Sequence, residues 1–154
     1  MRVVTIDPGI RNIAIAIYDN GSLVDAKLCD LTPFKKSTKY AHLAKYFCDQ
    51  HHAILKDADI IAIECQMQAR MKIIATAIQC FYWDASRLVS PRAVRHHFKI
   101  STGIYKDNKK LSIEMVNTLK IPKHIRDTIQ RSKKKDDLCD AILIGQYIVN
   151  TLKT

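Results

Sequence analysis

Short apolar runs in the first part of the chain follow the pattern of β-strands. The runs at residues 2–7, 12–19 and 22–29 are rich in Val, Ile and Ala, and β-branched residues favour strands. Asn20-Gly21, between the second and third runs, is typical of a two-residue hairpin turn. We therefore predict three strands, of which the second and third are antiparallel neighbours.

The rest of the chain alternates apolar runs with helical spacing. The unbroken apolar run at 59–64 predicts a strand buried on both faces, and 88–90 predicts a short fifth strand. Helices are predicted from Ser37 or Thr38 to about Leu55, at 66–85, from Pro91 with Ser90 as its cap, at 110–120 and at 136–152. The fold class is therefore α/β. We predict a five-stranded mixed sheet, with three antiparallel strands followed by parallel ones and helices on both faces, in a single domain at 1–154.

Positive charge is concentrated in the second part of the chain. Residues 1–86 contain 10 Lys and Arg against 9 Asp and Glu, whereas residues 87–154 contain 15 against 6, within a total net charge of +10. A basic half on a compact domain indicates a polyanionic partner, most simply nucleic acid. The alternative is an ordinary soluble surface with an excess of lysine.

The five cysteines are scattered, odd in number and without a CxxC pair, which argues against a zinc site and a disulfide scaffold. Arg2 and Asp7 interrupt the first apolar run, so no signal peptide is expected. No apolar stretch is long enough to span a bilayer. We expect a reducing, intracellular location.

Four acidic residues occupy positions where burial is expected. Burial of a charged carboxylate costs free energy unless a cation pairs with it. Asp7 and Glu64 end predicted parallel strands, whose carboxyl ends meet at one edge of a sheet. Asp137 and Asp140 begin the last helix and share one of its faces. Mg²⁺ prefers such hard oxygen ligands. Each feature has a plainer explanation, as a turn or as a helix cap, but their joint occurrence in this order predicts a metal site.

Two divalent ions held by such a cluster would suit in-line displacement at phosphorus. One ion lowers the pKa of the attacking water, and the other stabilises the leaving oxyanion. The predicted reaction is metal-dependent hydrolysis of a phosphodiester.

These motifs resemble those of the RuvC-like Holliday junction resolvases of the ribonuclease H superfamily. Asp7-Pro8-Gly9, Ile63-Glu64 and the DxxD of 137–140 match that family's pattern in order and spacing, over nearly the whole chain. The segments 105–112 and 136–140 are most similar to the poxvirus branch. The resemblance implies a homodimer that binds four-way DNA junctions and nicks two strands symmetrically with Mg²⁺ or Mn²⁺.

The family also has a catalytic lysine near the metal site. Lys109 is the expected residue by its position before the predicted helix, with Lys106 and Lys110 as alternatives. With Asp7, Glu64, Asp137 and Asp140, Lys109 completes the expected catalytic set. An ordinary phosphate-contacting or solvated lysine is the competing interpretation.

Further basic residues are expected to contact the DNA backbone, which positions a duplex without reading its sequence. They are Arg92, Arg95, Lys99, Lys106, Lys110, Lys133, Lys134 and Lys135. Helix 66–85 is the expected dimer interface, because it carries the large side chains Met67, Met71, Phe81, Tyr82 and Trp83. Part of this stripe could instead be core against the sheet, or Tyr82 and Trp83 could stack on an opened base.

Two alternatives share these features. The chain could be a ribonuclease H-like nuclease that acts on another nucleic acid, or a DNA-binding protein without catalytic activity.

A resolvase of the poxvirus type would act in the host cytoplasm.

Overall fold

The computed structural model describes residues 1–34 and 39–153, apart from the side chain of Tyr105. A five-stranded sheet lies at its centre, in the order β3-β2-β1-β4-β5. The strands are β1 Arg2–Asp7, β2 Asn12–Asp19, β3 Ser22–Asp30, β4 Ile60–Glu64 and β5 Ser86–Val89. β2 runs antiparallel to β1 and to β3, whereas β4 runs parallel to β1 and to β5. The predicted mixed sheet is confirmed.

Seven helices are found in the described residues. They are α1 Tyr40–Gln50, α2 His52–Leu55, α3 Ala69–Phe81, α4 Pro91–His97, α5 Tyr105–Thr118, α6 Lys123–Arg131 and α7 Lys135–Thr151, with a 3₁₀ turn at Thr32–Phe34. The prediction of one helix reaching Leu55 is wrong, because α1 ends at Gln50 and a separate turn of helix follows. Its predicted start at Ser37 or Thr38 lies outside the described residues.

Several other elements differ from prediction. The helix predicted at 66–85 is shorter, because α3 spans Ala69–Phe81 and residues 82–85 form a turn before β5. α5 begins five residues before the predicted start at Lys110, because its first turn is polar and has no apolar periodicity. α6 was not predicted, because Ile125 and Ile129 are its only buried residues. β5 ends at Val89 and begins earlier than expected, and Ser90 makes no side-chain capping bond to α4.

The two faces of the sheet bury different residues, as the two-residue period of a strand requires. Val4, Ile6, Ile61 and Ile63 pack towards α1 and α3, together with Phe47. Smaller residues cover the other face, where α7 lies against the sheet. They include Val3, Ala14, Ala16 and Ala62.

The position of α7 on this face is fixed by three contacts. The Thr5 hydroxyl donates to the Ala141 carbonyl at 2.6 Å, and the Tyr18 hydroxyl donates to the Ile142 carbonyl at 2.7 Å. Gly145 packs directly on the ring of Tyr18. These contacts place the first turns of α7 beside the carboxyl ends of β1 and β4.

Within the ranges that the structure describes, no helix combines the length and the apolar character needed to cross a bilayer.

Candidate active site

The four predicted acids line one open cleft of about 480 Å³ at the carboxyl ends of β1 and β4. The parallel register pairs Ile6 with Ile63, which brings Asp7 level with Glu64. Both side chains belong to the sheet face that α7 covers, and α7 contributes Asp137 and Asp140. The structure thus brings together all four residues that the sequence selected.

A tight turn after β1 shapes one wall of the cleft. A Cβ at Gly9 would lie 2.3 Å from the Asn12 carbonyl oxygen, a separation that real Cβ contacts do not reach. Glycine is therefore required for the chain to return into β2 directly after Asp7. Asn12, the first residue of β2, also lines the cleft.

Burial and mutual repulsion raise the pKa values of all four acids. Burial is the largest cause in each case. For Asp7, the charges of Glu64 and Asp140 add to it, and the pKa lies well above its usual value. Burial raises the pKa of Glu64, and that of Asp140 to about 7. The pKa of Asp137 is raised by burial and then by the neighbouring charge of Asp136.

This donor set has the chemistry that a divalent cation requires. Hard carboxylate oxygens converge where they repel one another, and a cation would relieve that repulsion. As the side chains stand, no group of three or more His, Cys, Asp and Glu residues in the described part of the chain is arranged to ligate one ion.

Two uncharged side chains hold the carboxyl groups in place. The Gln66 amide donates to Asp7 Oδ1 at 3.2 Å and to Glu64 Oε2 at 2.7 Å. The buried Ser112 hydroxyl donates to Asp140, which opposes the rise in its pKa. Neither residue was selected as a site residue from the sequence, although Ser112 ends the segment 105–112 that resembles the poxvirus branch.

Two cations lie among these acids. Arg95 lines the cleft, and its charge opposes the rise in the pKa values of Glu64 and Asp140. Lys109 also lines the cleft, and it forms a partly buried ion pair with Asp136. Lys106 and Lys110 are exposed and do not line the cleft, and Lys110 lies 3.7 Å from Glu114. The geometry favours Lys109 among the three lysines.

The other predicted DNA contacts are spread over the surrounding surface. Lys134 lines the cleft, and Lys133 and Lys135 are exposed beside it. Arg92 lines a second groove with His96, His97 and Tyr147, and Lys99 is exposed after α4.

The model of the family described as "Poxvirus A22 protein" matches residues 1–151. The chain belongs to this family. Comparison with curated protein sequences finds no significant match.

Solved structures similar to this A22 family member include Holliday junction resolvases. The fowlpox virus resolvase, solved with its substrate junction, has a TM-score of 0.75 at 20% identity, with 100% of each chain covered. The yeast mitochondrial resolvase Ydc2 has a TM-score of 0.71 at 16% identity, over 96% of this chain and 78% of its own. RuvC of Thermus thermophilus has a TM-score of 0.61 at 15% identity, over 100% and 98%. The ribonuclease H-like fold and the resemblance to the poxvirus branch are confirmed.

The raised pKa of Asp140 predicts a stability effect that depends on pH. Below about pH 4 this carboxyl is largely protonated in both the folded and the unfolded chain, and it does not change the stability. Between about pH 4 and 7 it ionises only in the unfolded state, so the folded state loses stability as the pH rises. We expect Asp140→Asn to raise the metal-free unfolding free energy above pH 7 by up to about 4 kcal/mol, at about 1.4 kcal/mol per pKa unit.

Chemical unfolding in EDTA at pH 4 and pH 7.5 checks this expectation. The difference between the variant and the wild type should fall below about 1 kcal/mol at the lower pH. An equal difference at both values would contradict it. Asp127→Asn, in α6 and away from the cleft, serves as the control.

The Lys109–Asp136 ion pair gives a second prediction. Asp136→Asn should remove this anionic partner of the lysine, and cleavage of a DNA junction should fall about tenfold or more, because a displaced catalytic group loses its alignment. Metal-free stability should change by less than about 1 kcal/mol, since the pair is partly exposed.

Glu114→Gln is the matched control, because it removes the exposed Lys110–Glu114 pair from the same helix. Single-turnover cleavage at saturating Mg²⁺ provides the measurement. Unchanged cleavage in Asp136→Asn would show that Asp136 does not position Lys109.

Proposed function

We propose that this protein is a Holliday junction resolvase, a metal-dependent endonuclease that makes symmetric nicks in four-way DNA junctions. It would act in recombination or in the processing of replicated viral DNA. The observation that carries this proposal is the convergence of Asp7, Glu64, Asp137 and Asp140 in one cleft of a ribonuclease H-like fold. Membership of the A22 family and the likeness to resolvases from a poxvirus, yeast and a bacterium support it.

Asp7, Glu64, Asp137 and Asp140 would hold the divalent cations, with Mg²⁺ as the expected ion and Mn²⁺ as a substitute. When bound, the cations supply an activated water and stabilisation of the leaving oxygen. Because the pKa values are raised, binding of a cation would be coupled to the loss of protons from these acids. Asp140 in particular would give up a proton near neutral pH.

Lys109 would contact the scissile phosphate and offset the negative charge that develops on it. Its ion pair with Asp136 keeps the ammonium group beside the cleft. Arg95 and Lys134 line the same cleft and would attract the DNA backbone towards it.

The exposed basic residues around the cleft would contact the junction arms. They are Arg92, Lys99, Lys106, Lys110, Lys133 and Lys135. Because phosphate contacts release counterions, junction affinity should fall steeply as the salt concentration rises.

Symmetric nicking needs two active sites, and a homodimer with twofold symmetry would supply them. The structure divides the stripe predicted for a helix at 66–85, of which only α3, Ala69–Phe81, is helical. Ile74 and Ile78 are buried against the sheet, and Met71 and Tyr82 are half-buried. Large apolar side chains nearby remain exposed and would form the dimer interface, namely Met67, Ile73, Phe81, Trp83 and Leu88.

Light scattering tests the dimer. The wild type should have twice the mass of the 17.6 kDa chain, and Phe81→Glu combined with Trp83→Glu should reduce it to one chain. A Val24→Glu variant controls for the loss of an exposed apolar residue elsewhere. A monomeric wild type would contradict the proposed interface.

The function is tested by incubating the protein with a four-way junction labelled on each strand in turn. Paired nicks on two opposed strands that require Mg²⁺ or Mn²⁺ are expected. Cleavage of RNA–DNA hybrids but not of junctions would indicate a different ribonuclease H-like nuclease. Junction binding without cleavage would indicate a non-catalytic DNA-binding protein.

We further propose that the chain is a single nuclease domain that acts in the reducing cytoplasm of the host cell. All five cysteines are free thiols, which is compatible with such a compartment. Fractionation of infected cells would test the location.

A further inference from the structure

The side chain of Gln66 lies between two of the four cleft acids. It is only 8% exposed, and its amide nitrogen donates to one oxygen of Asp7 and one of Glu64. A primary amide has two N–H hydrogens, and a carboxylate only accepts. The amide therefore presents its nitrogen to the acids, with one hydrogen for each carboxyl group.

The backbone places Gln66 for this contact. The Cys65 amide donates to the Val89 carbonyl at 2.8 Å, so the pairing of β4 with β5 continues one residue beyond Glu64. Gln66 follows immediately, before α3 begins at Ala69. Its side chain spans the ends of β4 and β1, which are 59 residues apart at Gln66 and Asp7.

The hydrogen bonds from Gln66 fix the orientation of the Asp7 and Glu64 carboxyl groups. The amide holds one oxygen of each carboxyl group, which restricts the rotation of both groups. Hydrogen bonds of this kind orient metal ligands. In proteins generally, their loss weakens metal affinity by about 10- to 100-fold.

We propose that Gln66 is a positioning residue for the divalent cation site, acting through the hydrogen bonds that it donates to Asp7 and Glu64. This rests on the proposed function, because it takes the cleft to be a cation site. Gln66 itself need not touch the cation or the DNA.

The test is Mn²⁺ binding in the absence of DNA, followed by the loss of the free-ion signal in electron paramagnetic resonance. Gln66→Met keeps the length of the side chain and removes both donors. We expect its Mn²⁺ affinity to be about 10- to 100-fold weaker than that of the wild type. Gln68→Met, which alters an exposed amide on the same wall of the cleft, should bind Mn²⁺ as the wild type does.

A second variant separates positioning from folding. Gln66→Asn retains the amide but is one methylene shorter, so it cannot reach both carboxyl groups, and it should also lose Mn²⁺ affinity. All measurements are made well below the unfolding temperature of each variant, with far-ultraviolet circular dichroism as the check on folding. The junction affinity in EDTA should not change.

The outcomes are distinct. If the wild type binds Mn²⁺ and both Gln66 variants bind it equally well, the positioning role is overturned while the cation site stands. Tighter binding by Gln66→Met would also overturn it, because the amide would then be competing with the ion. If the wild type itself binds no Mn²⁺, the proposed function fails at its cation site, and the inference fails with it.

Discussion

Asp137→Asn is expected to reduce junction cleavage by about 10³-fold or more while leaving junction binding intact. The change replaces one oxygen by an amide nitrogen of similar size, so it removes a charge and a ligand but little volume. Loss of several kcal/mol of charge stabilisation corresponds to this factor, at about 1.4 kcal/mol for each tenfold change. Asp137 lines the cleft in the first turn of α7.

Binding should be equal or slightly tighter in Asp137→Asn, because one negative charge is removed from a surface that faces phosphates. Binding is measured by fluorescence anisotropy of a labelled junction in EDTA, and cleavage by single-turnover kinetics with Mg²⁺. Asp127→Asn on α6 is the control, and both of its values should match the wild type. Cleavage at more than a tenth of the wild-type rate would remove Asp137 from the catalytic set.

The strands and the meeting of the acids could be predicted because both follow from local rules. Apolar runs with β-branched residues identify the strands, and Asn20-Gly21 adopts the positive φ values of 48° and 80° that its hairpin turn requires. Parallel neighbours end at the same edge, so Asp7 and Glu64 had to be close once β1 and β4 paired. The position of Asp137 and Asp140 could also be predicted, because a long apolar helix is expected to lie on the sheet and they begin that helix.

The supporting residues of the site could not be predicted, because their roles come from contacts between distant parts of the chain. In the sequence nothing distinguishes Gln66 from other loop glutamines, because its contact with Asp7 exists only in the folded protein. Asp136 resembled a helix-capping acid, and only the packing of α5 beside α7 gives it Lys109 as a partner. Arg95 was expected to contact DNA, and its position in the cleft depends on how α4 docks.

α6 could not be predicted from apolar periodicity. Its buried stripe consists of Ile125 and Ile129 alone, and the remaining positions are mostly polar or charged. Two apolar residues four apart do not distinguish a short helix from a loop. Its position after Pro122 was the available signal, since Pro is common at helix starts.

Gly145→Ala is expected to destabilise the protein, against the intrinsic preference of a helix. Alanine in place of glycine within a helix ordinarily gains about 1 kcal/mol. Here an added Cβ would lie 2.1 Å from Cε2 of Tyr18, and the nearest ring atoms belong to a residue that is 1% exposed. Overpacking of this kind costs about 1–3 kcal/mol, so the net effect should be a loss of stability.

The same substitution should reduce cleavage, because relief of the clash moves α7 away from β2 and takes Asp137 and Asp140 with it. A displacement of about 1 Å can cost about 10²-fold in rate. The cause is isolated by a double-mutant cycle with Tyr18→Leu, which removes the ring atoms that an alanine would strike. In that background Gly145→Ala should be neutral or stabilising by denaturant unfolding. If it remained as destabilising as in the wild type, close packing on Tyr18 would not be what requires glycine at this point of α7.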